Sequence, residues 1–126
     1  MKLKHKVLLF ISGLLTVVVG YVATQYVASR NRDEVIRREM HTKAQALKDA
    51  VDLHFPIGAP KLKVRQFLNE WPGGHASRSG EDDYVSIGQE PSRVWYCGPF
   101  EVGVKARYEN DHLAETEIVS WGLNCL

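Results

Sequence analysis

Five histidines, His5, His41, His54, His75 and His112, are the first residues to test for chemistry. None stands in an H-x-x-x-H or H-x-E spacing that would put two ligands on one helix face. His41 and His54 are the one pair that a helix hairpin would bring near each other; surface imidazoles are the simpler reading. Glu81-Asp82-Asp83, after a Ser-Gly step, has the oxygen ligands a hard cation needs, but a single acidic triplet more simply forms a solvated loop. A nucleophilic Cys97 would require a neighbouring base, and no histidine is placed by the sequence to serve it. G-x-S-x-G, P-loop and G-x-G-x-x-G patterns are absent, and Pro72-Gly73-Gly74 is too short to cradle phosphates. Lys61, Lys63 and Arg65 could meet anionic lipid if they lay near a bilayer, a solvated helix face being the simpler alternative. The residues therefore predict no enzyme, with no catalytic, cofactor-binding or metal site, and no cofactor.

Binding remains, and the large side chains that favour contact centres are Trp71, Tyr84, Trp95, Tyr96 and Trp121. Trp71 completes a helical stripe and is expected in the core. Trp121, Val119, Trp95 and Tyr84 are the interface candidates. The chain has 126 residues, one domain's worth, with 16 basic and 15 acidic side chains and a net charge of +1. That balance offers nucleic acid no basic surface.

The 44% apolar content is unevenly distributed. Val7 to Ala28 contains no charged residue and, at about 1.5 Å per residue, is long enough for a hydrocarbon core of roughly 30 Å. The organisation expected is a basic leader over 1–6, a transmembrane anchor over 7–28, a stalk and first helix over 29–53, and the remainder of an α+β domain over 54–126. The bilayer is thus one partner, through Val7–Ala28. Lys2, Lys4 and Lys6 form the short basic leader of a signal-anchor. Arg30, Arg32, Arg37, Arg38 and Lys43 on the other flank argue for the opposite orientation. The run exceeds a cleavable core and lacks a good small-residue cleavage site, so an uncleaved anchor is expected.

Cys97 and Cys125 are the only cysteines, and both fall in the globular part. In an exported domain such a pair reads as a disulfide; in a cytoplasmic one it reads as two buried thiols. The exported orientation is the expected one, giving a single-pass protein of a bacterial inner membrane with a periplasmic domain.

The elements follow from periodicity. Ile36, Met40, Ala44, Leu47 and Val51 mark one face of a helix that either continues the membrane segment or restarts behind an Asn31 or Asp33 cap. Val64, Phe67, Leu68 and Trp71 form the stripe of a second helix starting at Pro60, with Ala59 as its cap position, and Pro72-Gly73-Gly74 ends it. His75 to Asp83 reads as a polar, mobile loop. Period-two alternation then predicts strands near Tyr84–Ile87, Arg93–Cys97, Glu101–Tyr108 and Ala114–Leu123. A turn over Glu109–Leu113 would set Arg107 opposite Glu115, Lys105 opposite Glu117 and Val104 opposite Ile118, a register favoured by paired charges. Gly103 then faces Val119, leaving room on the outer face of the sheet beside Trp121. The fold class is α+β: an N-terminal transmembrane helix, then two helices packed on a three- to four-stranded antiparallel sheet.

With Ile57-Gly58-Ala59-Pro60, Val64, Phe67 and Leu68, and the strand pair from Val102 to Trp121, residues 40–126 resemble a known small module. It is the two-helix, antiparallel-sheet module of the small lipoprotein of the barrel-assembly machinery (SmpA/OmlA-like), found in tandem in β-lactamase inhibitor proteins. The chain departs from the lipoprotein in having a membrane helix instead of a lipidated cysteine. The resemblance implies a non-enzymatic envelope domain that contacts proteins, such as an accessory or scaffold subunit. A small-ligand or lipid-binding domain, with a cleft between helices and sheet, is the alternative.

Overall fold

Between Ala28 and His54 the sequence has no proline or glycine, and it is rich in Arg, Glu, Lys, Ala and Leu, all strong helix formers. One helix results, α1 (Lys2–His54), in a computed structural model that describes residues 2–126. Of the two alternatives, the helix continues the membrane segment without a restart, and Asn31 and Asp33 are interior helical residues rather than caps. The protein is α+β with two helices, not three. After α1 come α2 (Lys61–Asn69), β1 (His75–Ser79), β2 (Asp82–Glu90), β3 (Phe100–Glu109) and β4 (His112–Gly122), the strands forming one antiparallel sheet in the order β1-β2-β3-β4.

The chain divides into two units, the first ending at Val35 and the second running Ile36–Leu126. In the first, every side chain from Val7 to Ala28 is exposed. This stretch is long and apolar enough to cross a membrane, which fits a membrane anchor or a signal sequence.

In the second unit α1 buries Met40, Ala44, Leu47 and Val51, four positions on one helix face. Val64 and Leu68 of α2 join them, with Val85 of β2, Val102, Val104, Ala106 and Tyr108 of β3, and Leu113 of β4. Phe67 and Trp71 are half-buried against this core rather than inside it. On the exposed rim, Thr116 of β4 donates to Asp52 Oδ1 of α1 at 2.6 Å, and Lys48 bridges Asp52 at 2.5 Å. The Lys48 hydrogen bond and then that of Thr116 hold the Asp52 carboxyl below its ordinary pKa.

Gly58, at φ 93, turns the chain in a conformation that other residues resist. Pro60 is the cap residue rather than the first helical one, with φ −61 and ψ 131, and it offers no side-chain acceptor. The sheet supplies what the cap lacks: the Lys61 N–H donates to the Asp111 carbonyl at 3.0 Å. Gly58 N–H also donates to Leu113 O at 2.7 Å, and Leu113 N–H to Ala59 O at 2.8 Å. The inter-helix turn is thereby stitched to the start of β4.

Two strand readings are corrected. His75–Ser79 is a strand, not a mobile loop. All five side chains are exposed, so no apolar pattern marks it, and its backbone ladder with β2 holds it instead. Gly80, at φ 61, makes the two-residue hairpin turn possible. Conversely, Arg93–Cys97 is not a strand. Pro91 and Pro99 flank it, and the Ser92 hydroxyl bonds both the carbonyl and the N–H of Val94, folding the segment locally. Arg93 Nη2 pairs with the buried Glu90 Oε1 at 3.2 Å, and Arg37 reaches the carbonyls of Pro91 and Ser92.

The β3–β4 register is as the charges predict: Arg107 opposite Glu115, Lys105 opposite Glu117, Val104 opposite Ile118 and Gly103 opposite Val119. The route differs. The turn is only Asn110-Asp111, both at positive φ, and a bulge beside Arg107 and Tyr108 shifts the pairing by one residue. Gly103 is required here, since a Cβ would lie 2.1 Å from the Val85 backbone oxygen.

Candidate functional site

Alternation along β3 sends Val102, Val104, Ala106 and Tyr108 into the core and Glu101, Gly103, Lys105 and Arg107 to the outer face. The register adds Tyr84 from β2 and Glu117, Val119 and Trp121 from β4 to that face. Tyr84 and Trp121 meet edge to face, their centroids 6.0 Å apart at 79°. Tyr84 and Lys105 share a register row and Trp121 pairs with Glu101; side-chain-free Gly103 occupies the row between.

Lys105 Nζ lies 5.8 Å from the Tyr84 ring centroid and 3.6 Å from both Asp82 and Glu117. Proximity to the ionisable Tyr84 phenol, then to Asp82 and Glu117, holds the Lys105 pKa above the ordinary lysine value despite some desolvation. The result is a groove of about 400 Å³ lined by Ser77, Ser79, Tyr84, Lys105, Glu117 and Trp121, with Val119 along it. An aromatic and aliphatic floor ringed by hydroxyls and one charge of each sign suits binding rather than bond-making.

Three of the four interface candidates, Tyr84, Val119 and Trp121, are thus brought together. Trp95 is not among them: it stands 91% exposed on the segment between β2 and β3, edge to face with Tyr96 at 5.8 Å. Cys97 and Cys125 are joined by a disulfide. Beside it, Gly98 N–H donates to Leu123 O at 2.9 Å and Leu126 N–H to Tyr96 O at 2.9 Å, so the segment after β4 is laced to the Trp95 segment.

The acidic triplet separates onto different cations. Glu81 pairs with Lys61 at 3.3 Å, Asp82 with Lys105, and Asp83 with Arg65 at 3.0 Å. Among the described residues no group of three or more His, Cys, Asp or Glu side chains converges as a metal site. His54 packs on Phe67 at 5.4 Å, and His112 Nδ1 is 2.6 Å from the Asn110 carbonyl. Of the basic residues on α2, only Lys63 is exposed. Lys61 lies over the Tyr108 ring at 5.3 Å, and Arg65 grips Asp83.

The residue set that sequence reasoning missed is this inner-face network. Asp83 is buried, and it accepts from Arg65 Nε and, at 2.9 Å, from the Tyr108 hydroxyl. Alternation of Asp83 with Tyr84 would have placed it inward, but an acidic triplet masks that signal. Burial first, then the hydrogen bond to Asp83, pushes the Tyr108 phenol well above its ordinary pKa. Below about pH 10 the phenol is protonated in folded and unfolded chains alike, and this contribution is fully present. As the pH rises further the unfolded chain ionises first, so stability falls until the folded phenol also loses its proton. Urea midpoints followed from about pH 8 to 11 should therefore fall more steeply in the wild type than in Tyr108→Phe. Equal slopes would rule out this linkage.

No family model, curated protein or solved structure matches the chain.

Proposed function

We propose that this protein is a single-pass, membrane-anchored binding domain of a bacterial inner membrane, exported to the periplasm, that acts as a non-enzymatic accessory or scaffold subunit. The observation that carries the reading is the outer-face groove, where Tyr84, Val119 and Trp121 are half-buried together beside the Lys105–Glu117 pair. Tyr and Trp in a shallow groove with a polar rim suit a protein contact centre. The exposed apolar run Val7–Ala28 supports the anchor, and the Cys97–Cys125 bond supports an oxidising compartment. The resemblance to the barrel-assembly lipoprotein module points the same way. Trp95 is a further contact candidate on a separate surface.

Co-purification from detergent-solubilised membranes tests this reading. A stoichiometric protein should accompany the wild type and be lost from Trp121→Ala, while Gln45→Ala, on the exposed side of α1, retains it. Recovery of the chain alone would remove the subunit reading. A reporter fused after Leu126 should be active outside the cytoplasm; activity only inside would overturn the export reading. The second reading, a small-ligand or lipid-binding domain, has one cleft in its favour. It lies between α1, the turn after α2 and β2, measures about 330 Å³, and is walled by Ala46, Trp71, Pro72 and Ile87 with Lys43 at its edge.

A further inference from the structure

We infer that the open side of β2 over Ile87–Glu90, with the cleft beside it, takes an extended peptide segment of a partner protein as an added strand. Five-residue β1 pairs only with Asp82–Ser86 of β2, the last pair being His75 opposite Ser86. The chain before His75 leaves that line: Gly73 turns it at φ 74, and the Gly74 N–H bonds back to the Trp71 carbonyl at 3.2 Å. Beyond Ser86 a bulge leaves Ile87 without a β3 partner, and β2 then pairs with β3 again through Gly88–Val102, Gln89–Glu101 and Glu90–Phe100. On its other side, among the described residues, no strand stands. Strand N–H and C=O groups alternate between the two sides, so past the Ile87 bulge the Gly88–Glu90 edge offers a backbone ladder to an incoming chain.

The Pro72-Gly73 turn that vacates the line also forms one wall of the cleft, whose other walls are Ala46, Trp71 and Ile87. A backbone ladder joined to an apolar side-chain pocket is the recognition pattern of strand addition, with the ladder binding main chain and the pocket selecting one residue. A small apolar molecule would fill the cleft without using the ladder; an extended peptide uses both. The added strand runs antiparallel to β2, along the path β1 abandons, and places one apolar side chain against Trp71 and Ile87. This site goes beyond the outer-face groove and stands whether or not that groove binds a partner.

The test uses the full chain in detergent micelles, amide and indole NMR signals, and three probes. These are a blocked peptide of about eight residues alternating Val and Thr between lysines, the same peptide with prolines replacing the threonines, and decanoate. The Val/Thr peptide should shift the amides of Ile87–Glu90 and the Trp71 indole, and the proline peptide should not. Ala46→Arg, at an exposed helical position with a good helix former, should weaken binding at least about tenfold. Trp121→Ala should leave it unchanged, which separates failure of this site from failure of the groove. Still amides at Ile87–Glu90 would overturn the inference. So would a peptide response confined to Tyr84 and Trp121, or a Trp71 response to decanoate alone, the last assigning the cleft to a small ligand.

Discussion

Removing the Cys97–Cys125 disulfide lowers the stability of the folded domain by about 3–4 kcal/mol, the loop-closure value for a ring of this size. The ring encloses all of β3 and β4, so its loss restores freedom to an unfolded segment whose two ends are otherwise independent. In the native state the backbone bonds of Gly98, Leu123 and Leu126 remain, so a Cys97→Ala/Cys125→Ala variant should keep its fold. Urea unfolding of the full chain in detergent, followed by tryptophan emission, should show a lower midpoint. Untreated wild type should match neither the variant nor reductant-treated wild type, and these two should coincide. Identical midpoints for all three would mean the bond adds nothing to stability.

The second large effect is expected at Asp83. Replacing it by Ala leaves the Tyr108 hydroxyl without its acceptor and Arg65, whose side chain is only 18% exposed, without its carboxylate. Breaking one side of such a pair costs about 3 kcal/mol or more, because the remaining charge stays desolvated. Arg78, 3.6 Å away and 58% exposed, can turn to water and adds little. Asp83→Asn keeps an acceptor but loses the charge, and should fall between Ala and wild type. A Asp83→Leu/Arg65→Met double variant should recover part of the loss, since it strands no charge. A double variant no better than Asp83→Ala would assign the penalty to packing rather than to the stranded guanidinium.

Much of the domain was legible because its signals are local. Val64, Phe67 and Leu68 announced α2 through their spacing, although Trp71, expected to complete the stripe, falls past the helix end at Asn69. The β3–β4 register followed from Lys105 and Arg107 meeting Glu117 and Glu115, even though the turn and bulge that achieve it differ from those expected. The misreadings have physical causes. β1 carries no apolar side chain except Ala76, and all five of its side chains are exposed, so only its partner strand makes it a strand. Trp95 and Tyr96 have strand propensity, but Pro91, Pro99 and the Ser92 hydroxyl override it. The placement of Tyr84 against Trp121 needed three strands in register, which neighbouring residues cannot encode.

The sequence by itself determined the long apolar helix, the α+β class and the pairing of opposite charges across the last hairpin. Each depends on residue spacing within one element or across one short turn. Tertiary structure alone decided that Gly103 permits close strand approach, that the acidic triplet divides among separate cations, and that β1 stops short and leaves Ile87–Glu90 beside a cleft. Those outcomes depend on which distant backbone comes within a few ångströms, and that is set by how the elements close on one core.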